Sequence, residues 1–193
     1  MNKHSPHLSL AHAYWKEILQ NGGIAIDATC GNGHDTVQIA QLLLSNSDSW
    51  IYALDVQQCA LDSASNLFIH SLPELRRMRI SLHKICHSEL DRLPLRAAPR
   101  LIVYNLGYLP GGDKTLTTQT ATTLLSLEKA ELLLAPGGAI SATCYPGHPE
   151  GDKEEKAVIE WAEQLSCSKW QVCHHKWISR KAAPSLLWIR SLA

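Results

Sequence analysis

No stretch of the 193 residues approaches the run of about 18 apolar side chains that a membrane helix needs, so a membrane protein is not expected. Low-complexity tracts are missing as well. With 45% hydrophobic residues, the chain suits one compact α/β domain spanning residues 1–193 and burying a full core. No Cys-x-x-Cys pair occurs among Cys30, Cys59, Cys86, Cys144, Cys167 and Cys173. That argues against a disulfide framework or a ribbon-type zinc site, and for reduced thiols packed in a cytoplasmic protein. Cys167, Cys173, His174 and His175 lie close together in sequence, but successive residues of a strand point to opposite faces, so no metal is expected there. Net charge is also absent, with 18 Lys+Arg against 18 Asp+Glu, so any nucleic-acid site must be a local patch. Arg76, Arg77, Arg79 and Lys84 form one candidate patch, and Lys176, Arg180, Lys181 and Arg190 another.

What is present is an alternation of short apolar runs with helical periodicity. Leu8, Ala11, Tyr14, Trp15, Ile18 and Leu19 recur at helical spacing, and Asn21-Gly22-Gly23 supplies a stop. Ile24–Ile26 then reads as a strand, followed by a glycine turn and a helix through Val37, Ile39, Ala40, Leu42 and Leu43. The unit repeats as strand Trp50–Leu54 with a helix near Cys59–Ile69, strand Ile80–His83 with a loop, and strand Arg100–Leu106 with a long helix within Leu116–Leu134. Strand Ala139–Cys144 precedes a helix from about Lys153 to Leu165. Trp170–Trp177 and Ser185–Ile189 read as a closing antiparallel pair. The pattern predicts a seven-stranded, mostly parallel sheet with helices on both faces and a C-terminal antiparallel hairpin. Trp15, Trp50, Trp161, Trp170 and Trp188 fall within the apolar pattern and are expected in the core or at the sheet edge.

The turn after the first strand reads Asp27-Ala28-Thr29-Cys30-Gly31-Asn32-Gly33-His34-Asp35-Thr36. A strand-end carboxylate, two glycines and a helix start let a ligand approach the backbone. Thr36 stands where a dinucleotide fingerprint has its third glycine, which weakens a pyrophosphate-binding reading and leaves one for a cofactor without pyrophosphate. Asp55, at the end of the second strand, lies at the distance where an acid accepts hydrogen bonds from ribose hydroxyls. Together these residues point to an adenosyl cofactor. His87 and Ser88, after strand three, are candidates for the adenine edge.

Strand four ends in Asn105-Leu106-Gly107-Tyr108-Leu109-Pro110-Gly111-Gly112-Asp113-Lys114, and strand five in Tyr145-Pro146-Gly147-His148-Pro149-Glu150-Gly151. Both loops fall on the carboxyl edge of the sheet, where open α/β sheets bind ligands, and there they put an amide, a phenol, carboxylates, an ammonium and a histidine. With the Asp27–Thr36 turn, these stretches closely resemble the MnmM family, formerly labelled rRNA methylases, from the first helix to the last strand. The resemblance implies a Rossmann-like class I S-adenosylmethionine-dependent methyltransferase that converts wobble 5-aminomethyluridine, or its 2-thio form, at tRNA position 34 to 5-methylaminomethyluridine. It matches Asn32, Gly33, Asp55, Gln57, His87 and Ser88 to cofactor contacts. Asp27, Thr29, Gly31, Asp35 and Thr36 complete the expected cofactor set. One departure is that Ser179-Arg180-Lys181 and Ala183-Pro184 stand where the family carries an amide-rich stretch and Pro-Pro.

Methyl transfer from a sulfonium is an in-line displacement, so alignment is the protein's main contribution. A primary alkyl amine, with a pKa near that of Lys at about 10, must be held neutral. Asp113 and His148 are the expected proton acceptors, Asn105 and Tyr108 the orienting groups, and Tyr108, Tyr145 and Trp177 the available stacking platforms for an anticodon-loop base. Homodimerisation is left open. The competing readings are a methyltransferase for another RNA, a small amine or a protein; a nicotinamide oxidoreductase; and a non-catalytic RNA-binding module.

Overall fold

The computed structural model describes residues 6–43, 45–46, 48–109, 111–112, 116–147, 149–180 and 182–192. The elements run α1 (Pro6–Leu19), β1 (Ile24–Asp27), α2 (His34–Leu43), β2 (Trp50–Asp55), α3 (Gln58–Ser71), α4 (Glu74–Arg77) and β3 (Ile80–Lys84). After a 3-10 helix (His87–Arg92) come β4 (Pro99–Leu106), α5 (Thr120–Leu133), β5 (Ala139–Cys144), α6 (Pro149–Glu163), β6 (Trp170–His175) and β7 (Ser185–Ser191). The seven strands form one sheet in the order β3-β2-β1-β4-β5-β7-β6. β1 to β5 pair in parallel, whereas β7 is antiparallel to both β5 and β6.

Strand alternation divides the core into two layers. Ala25, Ile51, Ala53, Leu101, Val103 and Trp188 face α1, α2 and α3, where they meet Trp15, Ile39, Leu43 and Phe68. Ile26, Tyr52, Leu54, Ile102, Tyr104 and Ile140 face the opposite way, onto Leu90, Leu127 and Val158. The tryptophans follow the expected pattern: Trp15 and Trp188 are buried, and Trp50, Trp161 and Trp170 pack partly buried against the second layer.

Four elements differ from the sequence reading, the first being the short α4, which it did not expect. β6 stops at His175, because its partner residues on β7 run out at Leu186, so Trp177 lies outside the hairpin. α6 begins at Pro149, four residues before the expected start; a proline costs nothing at a helix start, where the N–H has no partner. Pro149, Glu150 and Gly151 are therefore the first turn of a helix, and Asp152 accepts the Gly147 N–H at 3.1 Å to close it off. The expected loop after β3 contains the 3-10 helix, whose Leu90 is fully buried.

Gly33 shows why one glycine of the first turn is needed. Its φ is +85°, and a Cβ there would lie 2.8 Å from both Ala64 Cβ and Phe68 Cε1 of α3. Gly33→Ala is expected to lower unfolding free energy by about 2–4 kcal/mol, from the left-handed backbone and the overpacked contact, read as a lower urea midpoint at unchanged slope.

Candidate active site

Where the sheet's order reverses, between β1 and β4, the carboxyl ends of the strands open onto a cleft with two lobes sharing Thr29, Gly31, Asn105, Gly107 and Tyr108. The inner lobe, about 290 Å³, adds Asp55, Val56, Gln57, Ile85, Cys86 and His87. The outer lobe, about 920 Å³, adds Leu8, Asn32, His34, Asp35, Tyr145, Pro146 and Gly147.

The floor is set by backbone bonds that carry the turn across the strand ends. Cys30 N–H reaches Leu54 O at 2.7 Å, and Ala28 N–H reaches Val103 O at 2.9 Å. Asp55 then receives the Gly31 N–H on Oδ2 at 2.9 Å and the Gln57 N–H on Oδ1 at 2.8 Å, which fixes its carboxylate at the mouth of the inner lobe. Gly31, at φ +52°, comes so close to the loop after β4 that a Cβ would meet Leu109 Cδ1 at 3.2 Å. His87 is buried, and burial pushes its pKa down to about 4, so the ring is neutral. Its Nδ1 has no hydrogen-bond partner among the described residues.

Asp27 and Thr36 lie beneath the cleft wall, both with no exposed surface. Thr36 Oγ1 donates to Asp27 Oδ2 at 2.5 Å and Thr29 N–H to Oδ1 at 3.3 Å. Burial, chiefly, together with the nearby Asp35 charge, raises the Asp27 carboxyl to about 7 against these two bonds. Gly33 is likewise buried behind the turn, and Ser88 turns its hydroxyl to Cys86 Sγ at 3.1 Å. Of the expected cofactor residues, Thr29, Gly31, Asp55, Gln57 and His87 share the inner lobe, while Asn32 and Asp35 face the outer one.

Of the expected orienting groups, Asn105 and Tyr108 border both lobes. Asn105 N–H donates to Thr29 Oγ1 at 2.7 Å, and its Nδ2 donates to Asp35 Oδ2 at 2.7 Å. Tyr108 is 40% exposed, in a loop folded back by its bridge to Thr117. That loop is fastened from α6: the buried Glu154 accepts Thr118 Oγ1 at 2.6 Å and Thr123 Oγ1 at 2.7 Å. Asp113 and His148 lie outside the described residues. The sequence reading missed His7 and His12 of α1: His7 meets the Tyr145 ring edge-on at 5.7 Å, and His12 reaches Asp35 at 3.2 Å. Helical spacing marked α1 but gave no signal of what its polar face touches.

Whether an adenosyl cofactor fits can be judged from these groups. A purine needs an apolar slot, and Val56 and Ile85 line one beside the neutral His87. A ribose needs an acceptor, and each Asp55 oxygen keeps a lone pair beyond its backbone bond. The residues fit the group.

Residues 51–191 match the family model described as "Putative rRNA methylase". A curated relative, the Arabidopsis thaliana "tRNA (mnm(5)s(2)U34)-methyltransferase, chloroplastic", is 37% identical over 184 residues, covering 93% of this chain and 67% of its own. The crystal structure of a "putative rRNA-methylase" from Clostridium thermocellum superimposes with a TM-score of 0.89 at 30% identity, covering 99% of both chains. That of a "putative methyltransferase" from Streptococcus mutans in complex with SAH gives 0.84 at 30% identity, covering 100% of both. On the family match and the identity to the plant enzyme, the chain belongs to the rRNA methylase family, and it has the class I S-adenosylmethionine-dependent methyltransferase fold.

Proposed function

We propose that the chain is an S-adenosylmethionine-dependent tRNA methyltransferase that converts wobble 5-aminomethyluridine at position 34, with or without 2-thio substitution, to 5-methylaminomethyluridine in the cytoplasm. The observation that carries it is the joining of the lobe that Asp55, Gln57 and His87 line to a larger outer lobe through Asn105 and Tyr108. The name of the plant relative supports the acceptor, and the SAH in the Streptococcus mutans relative supports the cofactor. Among the described residues, no helix is long and apolar enough to cross a membrane.

In this reading Asp55 accepts the ribose hydroxyls, Gln57 and His87 bound the base, and Thr29, Gly31 and Asn32 line the path to the reacting centre. Bound S-adenosylmethionine supplies an electrophilic methyl group. The chain's own residues orient the nucleophile: Asn105 offers its amide oxygen to an amine N–H, and Tyr108 and Tyr145 offer ring faces to a base held out of the anticodon stack. Asp113 and His148, which follow the fourth and fifth strands in sequence, are the proposed proton acceptors. Lys176, Arg180 and the 38% exposed Trp177 form the proposed phosphate- and base-contacting rim. Their segment leads to Ala182, whose Cβ is 3.3 Å from where a Cβ on Gly147, at the outer lobe, would be.

Transfer of labelled methyl from S-adenosylmethionine to tRNA from cells lacking wobble methylation tests this. Label in 5-methylaminomethyluridine is expected. Label in rRNA alone, or in no RNA, would overturn it.

A further inference from the structure

We propose that Asp35 is a positioning residue for methyl transfer: it fixes the Asn105 carboxamide with its oxygen turned toward the acceptor, and His12 holds Asp35 in place. The inference rests on the chain being an amine methyltransferase. A carboxamide's two ends have nearly the same shape, so packing does not choose between them and partners do. Asp35 Oδ2, an acceptor 2.7 Å away, demands the NH₂ end. Asn105 Oδ1 is thereby directed elsewhere, and there, among the described residues, it finds only the Tyr145 hydroxyl at 3.5 Å, longer than a good O–H···O bond. Its lone pairs are left for a stronger donor, and an amine N–H is one. Accepting that N–H sets the rotation of the aminomethyl group, and so the direction of its lone pair.

The brace reaches back to the core. His12 Nε2 meets Asp35 Oδ1 at 3.2 Å, so both carboxylate oxygens are held by protein groups. The His12 ring leans on Trp15 at 4.8 Å between centroids, and the buried Trp15 donates its indole N–H to Ser141 Oγ of β5 at 2.9 Å. The Asn105 main chain is independently tied to Thr29. A side chain fixed at both ends in this way is organised before substrate arrives.

The test is a double-mutant cycle in single-turnover methyl transfer, with both substrates saturating. Asp35→Asn can offer Asn105 either an oxygen or an NH₂, so the amide loses its fixed sense. The rate is expected to fall about 30–100-fold, with tRNA KM and S-adenosylhomocysteine Kd within about threefold of wild type. His12→Ala should lose rate, and His12→Gln, which restores a donor, should recover most of it. In an Asn105→Ala background Asp35→Asn should change the rate less than about twofold. Full multiplication of the two losses, or a tenfold rise in S-adenosylhomocysteine Kd with Asp35→Asn, would overturn the proposal and make Asp35 a cofactor ligand instead. A second readout is independent of turnover: the Asn105 side-chain amide protons should resonate downfield in wild type and shift in Asp35→Asn. If wild type labels no tRNA, the substrate reading fails while this signal still decides whether Asp35 holds Asn105. An unmoved signal overturns the proposal.

Discussion

Asp55→Ala is expected to weaken S-adenosylhomocysteine binding by about 10²–10³-fold, measured by titration calorimetry, with the fold retained. The carboxylate stands at the end of β2, where it binds the Gly31 and Gln57 N–H groups at 2.9 and 2.8 Å. Removing it has two consequences in the same place. Each ribose hydroxyl loses a charged acceptor, an interaction worth about 1.5–3 kcal/mol. The Gly31 turn also loses the tether that keeps its backbone open toward the ligand. Both N–H groups border the open cleft, where water can replace the carboxylate, so the thermal midpoint should move by only a few degrees. Asp55→Asn, which keeps one acceptor, should fall between. A loss under about fivefold for Asp55→Ala would remove Asp55 from the cofactor site.

The parts of this molecule that were legible from sequence are those set by local pattern. Buried parallel strands such as Ile51–Leu54 and Leu101–Tyr104 are continuous apolar runs because helices cover both their faces, and the strand-end acids Asp27 and Asp55 follow from that placement. The ends of elements were less legible. β6 gives out at His175 through lack of a pairing partner, and Pro149 starts α6 inside a stretch whose glycines read as loop. Least legible were the contacts that make the site. Asp35 belongs to the glycine-turn motif and reads as a cofactor contact, yet its oxygens go to His12, 23 positions away, and Asn105, 70 positions away. No periodicity encodes such a pairing. Asp27 shows the same limit: its position at the strand end was expected, while its complete burial under the turn depends on Thr36 and Ala28 closing over it.

That burial leads to the second prediction of large effect. Asp27 titrates near 7 in the folded chain against an ordinary value of 3.8, chiefly because burial disfavours the charged form and then because Asp35 is close. The folded state therefore binds more protons than the unfolded one between about pH 4 and 7. The Asp27 contribution to stability is fullest below pH 4, falls as pH rises through that window, and levels off above 7, for a total of about 4 kcal/mol, while buried His87, held down to about 4, contributes a slope of opposite sign. Asp27→Asn should remove the Asp27 contribution, read as a stability difference from wild type that grows in the variant's favour from pH 4 to 7. Its Oδ1 can still accept the Thr29 N–H, and one hydrogen of its NH₂ can go to Thr36 Oγ1, whose own hydrogen can turn to Cys30 Sγ at 3.6 Å, so the variant exchanges a buried charge for one leftover N–H and should be more stable than wild type at pH 8 in denaturant melts. A stabilising change at a strand end beside the cleft implies that the carboxyl is kept for its charge. A cationic ligand above it would favour the ionised form, so S-adenosylmethionine should bind wild type more tightly as pH rises from 6 to 8. S-adenosylhomocysteine, which lacks the sulfonium charge, should show a shallower rise. Asp27→Asn should flatten both. If the variant and wild-type stability profiles run parallel between pH 4 and 7, Asp27 does not titrate there and the charge beneath the turn has no role in choosing the ligand.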